Sequence, residues 1–177
     1  METNSFNSKN VMEMITVANE YCHFIEKAHK YEPKEILGYL QKIFPLLYLK
    51  GSLLPNVEVQ VPEASERFVT AESWEIIFNE LRDKFKPDDI YWVMDHSQKM
   101  DIEPQKENLA DNLTDIYQDL KDFILLYSKG TQSAQENAVH DCKHYFEIHW
   151  GERLVKAQKY VHYMLYANKQ QDTGLIA

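Results

Sequence analysis

Glycine, proline and cysteine are scarce in this 177-residue sequence, which contains five, six and two of them respectively. Few chain-breaking residues favour long helices joined by short connections, so an all-α fold is the first expectation. A chain of this length buries enough surface to form a core without disulfides or bound metals. Cys22 and Cys142 fall on apolar faces of predicted helices, where a free cysteine packs as a small hydrophobic residue.

Positive charge and long apolar runs are lacking too. The 19 Lys and Arg residues are outnumbered by 28 Asp and Glu, which gives a formal net charge of -9 at pH 7. Nucleic-acid binding depends on clustered Lys and Arg, so the composition argues against it. The longest apolar runs fall far short of the ~20 residues of a membrane span, and residues 1–10 lack the features of a secretory signal. We therefore expect a soluble, cytoplasmic protein that binds neither nucleic acid nor membranes.

Several enzyme signatures are missing from the sequence. It has no glycine-rich phosphate loop, no Gly-x-Ser-x-Gly elbow, no Cys-x-x-Cys pair and no His-Glu-x-x-His run. Cys22 is followed directly by His23, but neighbouring residues of a helix point in different directions, so the pair does not make a nucleophile site. We expect no cofactor.

Apolar residues recur at helical spacing along most of the chain. The pattern predicts helices over residues 11–28, 33–51, 70–85, 109–127 and 133–168. We expect a single all-α domain, residues 1–177, folded as an irregular bundle of five or six helices with frayed ends at 1–10 and 170–177. Pro45 should kink or split the second helix, and Gly151 should break or bend the last one.

The connections between the predicted helices carry weaker patterns. Residues 56–69 form the longest irregular stretch, and we expect them either to cover a groove of the bundle or to serve a function. Residues 90–94 are a short apolar run of ambiguous spacing, and their helical surroundings favour a helical turn. A polar loop is predicted at 97–101, and Glu103 with Pro104 is typical of the start of a helix.

Short segments spread over most of the chain resemble a known family. They are VANEYC at 17–22, FPLLYLK at 44–50, LAD at 109–111, DIYQDLK at 115–121, WG at 150–151 and RLV at 153–155. The family they resemble is an uncharacterised bacterial one, chiefly from Bacteroides and its relatives, known only as domain of unknown function 5063. The resemblance implies a helical domain in a bacterial, cytoplasmic setting. It supplies no activity, cofactor or catalytic residue.

An acidic row runs along one side of a predicted helix. It consists of Asp111, Asp115, Asp119 and Asp122. Such rows hold Mg²⁺ in all-α nucleotide pyrophosphatases, where acidic residues of two facing helices turn inward around the ion. Here most of the row lies away from the apolar face, with Asp119 nearest to it, so we expect a solvated surface. The alternative is a metal site built on Asp115 and Asp119.

His140 and His144 lie one helical turn apart, and Asp141 follows the first of them. Two such histidines can share a metal ion, and an adjacent His-Asp pair is found in one class of metal phosphohydrolases. The helical wheel places both histidines opposite the apolar face, and a metal site also needs a third ligand and supporting contacts. We therefore expect solvated side chains and no metal.

A candidate polar pocket centres on two basic residues near the apolar face of the last helix, His149 and Arg153. A buried Arg or His must be paired. The candidate residues are Asp119, His149, Trp150, Arg153, Glu63 and Glu66. One interpretation is a structural ion pair between Arg153 and one of the three carboxylates. The other is a small ligand pocket beneath the 56–69 segment, because ligand sites combine a few polar groups with aromatic ones.

The favoured function is a small helical interaction module without catalysis. It fits the missing catalytic signatures, the acidic surface and the aromatic excess. The alternative is a metal-dependent phosphohydrolase of the all-α nucleotide pyrophosphatase kind. A protein partner and assembly into a homo-oligomer are both compatible with the sequence.

Overall fold

The structure, a computed structural model, describes residues 5–94 and 103–172, with side chains described up to residue 167. Its main elements are α1 (Lys9–Ile25), α2 (Pro33–Ser52), α3 (Ala71–Phe85), β1 (Ile90–Met94), β2 (Pro104–Asn108), α4 (Leu109–Ser128), α5 (Gln132–Ile148) and α6 (Trp150–Asp172). Short 3-10 turns lie at Ser5–Asn7, Ala28–Lys30 and Pro62–Ala64. Helices dominate the chain, which confirms the all-α prediction.

Several helix ends lie where local sequence signals predict them. α2 begins with Pro33, and Glu32 and Glu35 form a reciprocal capping box at this end. The Thr70 hydroxyl accepts a hydrogen bond at 3.2 Å from the N–H three residues later and so caps α3. Gly130, just beyond α4, has a φ of 72°. This left-handed backbone conformation is strained for residues that have a Cβ atom, so it favours glycine.

The central helix is α4, against which α1, α3, α5 and α6 all pack. Leu109, Leu113, Ile116 and Leu120 of this helix are fully buried. Tyr21 of α1 is equally buried and donates a hydrogen bond from its hydroxyl to the Leu113 carbonyl at 2.8 Å. Because α4 has neighbours on several sides, its polar side is covered as well as its apolar side.

Residues 90–94 form a strand, so the prediction of a helical turn there is wrong. This strand, β1, pairs with β2 in an antiparallel sheet. Pro104 lies in β2, so it does not start a helix, and α4 begins at Leu109 instead. Asp89 fixes this start, because its carbonyl accepts from the Leu109 N–H at 2.7 Å and its carboxylate from the Ala110 N–H at 2.8 Å. These contacts join residues about twenty positions apart, and local spacing does not reveal them.

The two predicted interruptions have different outcomes. α2 runs through Pro45 as one helix, so it is not split there. Pro45 lies on the exposed side of α2, where water can satisfy the carbonyl that has no N–H partner. The last helical stretch is divided, but at His149, whose φ is -140° and ψ -83°. Gly151 permits this junction, since a Cβ atom there would collide with the Phe146 carbonyl oxygen.

The N-terminal region is folded from residue 5 onward, so the prediction of fraying is wrong for residues 5–10. Phe6 is only 6% exposed and joins the core. α6 extends to Asp172, so residues 170–172 are also helical. Residues 1–4, the predicted loop at 97–101 and residues 173–177 lie outside the described part of the chain. Among the described residues, no helix is both long and apolar enough to cross a membrane.

Candidate functional site

The acidic row of α4 faces the 56–69 segment and the junction of α5 and α6. The exposed fraction of the side chain is 39% for Asp111, 14% for Asp115, 1% for Asp119 and 6% for Asp122. The prediction of a solvated row is therefore wrong for Asp115 and Asp122, while Asp119, predicted to lie nearest the apolar face, is the most buried of the four. Their side of α4 lies outside the apolar pattern, but α4 is central and this side is covered too.

Arg67, in the irregular 56–69 segment, binds the C-terminal half of the row. Its Nη2 atom lies 3.0 Å from Asp119 Oδ1, and its Nε atom lies 2.7 Å from Asp122 Oδ2. Asp122 Oδ1 also accepts hydrogen bonds from the backbone N–H groups of Phe68 and Val69, at 2.7 and 2.8 Å. These bonds hold the segment against α4 as a cover. No periodic pattern surrounds Arg67, so the sequence offered no signal for its role.

Arg153 of α6 binds the N-terminal half of the row. Its Nη2 atom lies 2.9 Å from Asp115 Oδ2, and its Nη1 atom lies 3.1 Å from Asp111 Oδ2. Nη1 also donates to Asn112 Oδ1 at 2.9 Å. The structural ion pair predicted for Arg153 is thus present, but its partners are Asp115 and Asp111. None of the three carboxylates proposed from the sequence is bound to it.

His149 lies between the two halves of the row. Its Nδ1 atom donates to Asp119 Oδ2 at 2.6 Å. Its Nε2 atom lies 3.6 Å from Asp115 Oδ2 and 3.1 Å from Arg153 Nε. The nearby carboxylates of Asp115 and Asp119 raise the pKa of His149 to about 9. The ring is therefore mainly protonated at neutral pH and pairs with the Asp119 and Asp115 carboxylates, whereas Nε2 accepts a hydrogen bond from Arg153 Nε–H only in the neutral ring.

Burial and pairing act in opposite directions on the carboxyl groups of the row. Burial raises the pKa of Asp122, although backbone N–H groups donate to it. Burial and the nearby charge of Asp115 raise the pKa of Asp111. Burial also acts to raise the pKa of Asp115, but the His149 ring, the Arg153 guanidinium and the hydrogen bond from Trp74 outweigh it and lower that pKa. The indole N–H of Trp74 lies 2.8 Å from Asp115 Oδ1.

Three cationic groups bind the carboxylates that the metal hypothesis requires. Arg153 and His149 approach Asp115, and His149 and Arg67 bind Asp119. Within residues 5–94 and 103–167, no group of three or more His, Cys, Asp or Glu side chains is arranged to hold a metal ion. A structural ion-pair network is the role that these contacts favour.

The other residues of the predicted pocket are not brought together. Glu63 is exposed in a 3-10 turn, and Glu66 forms an ion pair at the surface. Trp150 is fully buried and donates its indole N–H to the Cys142 carbonyl at 3.0 Å. The cavity beside Asp119, beneath the irregular segment, measures about 10 Å³, space for one water at most. This cavity therefore leaves no room for a ligand beside Asp119.

A polar cleft of about 240 Å³ opens beside the network, between β2 and α6. Asp111 and Arg153 line it and pair with each other. Lys156, also in its lining, lies 3.1 Å from Glu107 and 3.0 Å from Glu152. The charges of this cleft are therefore largely matched within it.

His140 and His144 are exposed on α5, with ring centres 6.3 Å apart. Asp141 lies 3.1 Å from His140 Nδ1 and accepts a hydrogen bond from the Ser65 hydroxyl at 2.7 Å. This carboxylate thus helps to hold the irregular segment on α5.

A groove that the sequence reasoning missed lies between β1 and α6. Its lining consists of β1 residues 90–93 and of Lys156, Lys159, Tyr160 and Tyr163, and its volume is about 350 Å³. Tyr91 stacks on Tyr160, with ring centres 4.3 Å apart. Trp92 is 66% exposed and Tyr163 57%, so large aromatic surfaces meet water there. In the sequence, the run IYWVM is the signal for this groove. Successive side chains of a strand point to opposite faces, so Tyr91 points inward and Trp92 outward.

Comparisons with known proteins identify the family. The family model described as "Domain of unknown function (DUF5063)" matches residues 5–167. The crystal structure of protein BF1032 from Bacteroides fragilis is 33% identical in sequence and superposes with a TM-score of 0.81, covering 92% of this chain and 96% of that chain. No curated protein matches the chain. Because the family model spans most of its length, the protein belongs to the DUF5063 family.

Proposed function

We propose that this protein is a non-catalytic interaction module of the cytoplasm and that a partner protein binds in the groove between β1 and α6. The exposed aromatic surface of Trp92 and Tyr163 carries this proposal. Tryptophan and tyrosine are enriched among the residues that dominate binding energy at protein interfaces. Each Å² of apolar area that a partner covers contributes roughly 25 cal/mol before the costs of association.

The base of the groove is held in place by internal contacts. Tyr91 stacks on Tyr160, and its hydroxyl oxygen accepts a hydrogen bond from Asn112 Nδ2 at 2.7 Å. Tyr160 in turn donates its hydroxyl hydrogen to the Asp88 carbonyl at 2.9 Å. A preformed base lowers the entropy cost of binding, because few side chains need to be ordered when a partner arrives.

The acidic row supports catalysis less well than the groove supports binding. Its carboxylates are occupied by Arg67, His149 and Arg153, and those contacts tie the irregular segment and α6 to α4. A metal-dependent hydrolase would need the same carboxylates free to turn toward an ion and a substrate phosphate. The network therefore supports a structural role, in which it stabilises the packing of the helices that carry the groove.

The two cysteines support the cytoplasmic part of the proposal and provide a way to test the binding part. Cys22 and Cys142 are free and buried, which suits a reducing compartment. Burial raises the pKa of both thiols, so they are poorly reactive toward maleimides. A cysteine introduced at the surface can therefore be labelled selectively.

The test is photo-crosslinking from the residue that lies opposite Trp92 in the sheet. Lys106 is exposed and lies directly opposite Trp92 in the sheet, so Lys106→Cys carries a benzophenone maleimide close to the groove. Lys42→Cys, at an exposed position of α2, is the matched control. Each labelled protein is irradiated in an extract of Bacteroides fragilis, the source of the similar structure.

We expect a discrete protein adduct from the Lys106→Cys probe, none from the Lys42→Cys probe, and loss of the adduct when Trp92→Ala is added. Circular dichroism checks that the Trp92→Ala protein remains folded. The same set of adducts from both probes, or an adduct that survives Trp92→Ala, would refute the proposed binding surface.

A further inference from the structure

Resting on the proposed function, we propose that the groove takes an extended segment of a partner protein, with acidic side chains, as a third strand on the outer edge of β1. Adding a strand to an exposed sheet edge is a general mode of peptide recognition, in which backbone hydrogen bonds supply affinity and side-chain pockets supply selectivity. The edge, the wall of the groove and its charge each support this occupant.

Among the described residues, nothing pairs with the backbone groups on the outer edge of β1. In the described residues the sheet has two strands, with Tyr91 opposite Glu107 and Val93 opposite Gln105. The hydrogen bond from the Leu109 N–H to the Asp89 carbonyl continues this ladder. Because hydrogen-bonded and non-bonded pairs alternate in an antiparallel sheet, the N–H and C=O groups of residues 90, 92 and 94 point away from β2.

The two edges of the sheet differ in their protection. Natural edge strands are shielded against further pairing by proline and lysine. β2 has both, because Pro104 lacks an N–H and Lys106 is exposed. β1 has neither and instead exposes three large apolar side chains, Ile90, Trp92 and Met94. The unshielded edge is the one that borders the groove.

The wall opposite this edge suits the side chains of an added strand. Tyr160 and Tyr163 of α6 lie nearly parallel, with ring centres 6.3 Å apart, and Tyr160 continues the stack to Tyr91. β1 has five residues, so a partner strand that matches it is ~17 Å long at ~3.3 Å per residue. Alternate side chains of that strand face the aromatic wall, which favours apolar residues at every second position.

Among the described residues, the charged side chains that line the groove are both lysines, although the chain as a whole carries a formal net charge of -9. Lys156 is paired with carboxylates, while Lys159 is exposed and has no ion-pair partner among the described residues. An acidic side chain on the added strand forms the missing ion pair with Lys159. The β1 sequence IYWVM contains no carboxylate, so a second copy of this chain paired edge to edge through β1 leaves Lys159 unmatched.

The experiment uses the full-length, isotope-labelled protein and two capped heptapeptides. One peptide alternates valine with glutamate, and the other alternates valine with lysine. Affinity comes from NMR titration, and hydrogen exchange of the Trp92 N–H at saturating peptide reports strand addition. We expect the glutamate peptide to bind at least tenfold more tightly than the lysine peptide. It should slow exchange at Trp92 and leave Tyr91 and Val93 nearly unchanged, because their N–H groups are already bonded to β2.

Two pairs of variants separate charge from backbone pairing. Lys159→Glu should weaken binding of the glutamate peptide at least tenfold. Lys9→Glu, which makes the same charge change at a side chain 87% exposed on α1, should not change it. Met94→Pro removes an outward N–H and should abolish the slowed exchange at Trp92, whereas Met94→Ala removes only the side chain and should retain it.

Three results would overturn the proposal: equal affinity for the two peptides or binding of neither, unchanged exchange at Trp92 in the peptide complex, or slowed exchange that depends on protein concentration without peptide. The last result would assign the edge to a second copy of the chain. If the Lys106→Cys probe forms a crosslink that requires Trp92 but hydrogen exchange at Trp92 is unchanged, the added strand is rejected and the interaction module is retained. Absence of that crosslink rejects the module itself.

Discussion

Replacing Arg153 with alanine tests whether the ion-pair network stabilises the fold. The substitution removes the guanidinium from Asp115, whose side chain is 14% exposed, and from Asp111, which is 39% exposed. Stripping one partner from a fully buried ion pair costs about 3–5 kcal/mol, whereas an exposed pair contributes about 0–1 kcal/mol. Arg153 is 27% exposed, between these limits, and Asp115 keeps its hydrogen bond from Trp74 and its contact with the His149 ring. We therefore expect a loss of about 2 kcal/mol in the free energy of unfolding.

Urea unfolding followed by circular dichroism measures this loss, with an unchanged slope against denaturant. The melting temperature should fall by roughly 4–8 °C for a chain of this size. Arg82→Ala is the matched control, because Arg82 is 40% exposed and lies 3.8 Å from an Asp83 that is itself 61% exposed. Its expected cost is below about 1 kcal/mol.

A double-mutant cycle assigns the effect to the pair. Arg153→Ala combined with Asp115→Asn should show a coupling energy of about 1 kcal/mol or more, because the two side chains are in direct contact. If Arg153→Ala costs no more than Arg82→Ala, or if its cost is additive with that of Asp115→Asn, Arg153 does not hold α6 to the acidic row.

Three further perturbations follow from the site. The pKa of His149 is raised to about 9 in the folded protein, above an unfolded value of ~6.5. The contribution of the protonated ring to the free energy of unfolding is therefore complete below pH ~6.5 and is lost as pH rises through about 9. Wild-type protein should lose more stability between pH 7 and pH 10 than His149→Asn. Thermal melts with millimolar Mg²⁺, Mn²⁺ or Zn²⁺ should match those without metal, whereas an upward shift that vanishes in the Asp115→Asn, Asp119→Asn double variant would favour the phosphohydrolase. Gly151→Ala should lower the melting temperature by several degrees through its clash with the Phe146 carbonyl, and an unchanged melt would show that the α5–α6 junction adapts.

Local signals in the sequence are sufficient for most of the helices. Thr70, Pro33 and Gly130 act on backbone groups within three or four residues of themselves, so their effect can be predicted without knowing the fold. The apolar spacing of α4 likewise identifies the buried face around Leu113 and Leu120. These features depend on neighbours along the chain, and the sequence contains those neighbours.

The candidate sites depend on contacts that are distant along the chain. Apolar spacing indicates which side of α4 meets the core, but it does not tell whether the opposite side meets water or a second layer. Arg67 is 52 residues from Asp119, and its aperiodic surroundings give no reason to place the two together. The hairpin was missed for the same reason, because five apolar residues suit a helix or a strand until a pairing partner is known.

The sequence by itself determined the helical class, the main helix ends and the acidic, disulfide-free character of the chain, because these follow from composition and from interactions within a few residues. Tertiary structure decided that the acidic row is paired with Arg67, His149 and Arg153, and that β1 and α6 form an aromatic groove. Both arrangements require segments far apart in sequence to meet. Their energies come from desolvation and ion pairing, which take effect only when the segments are packed together.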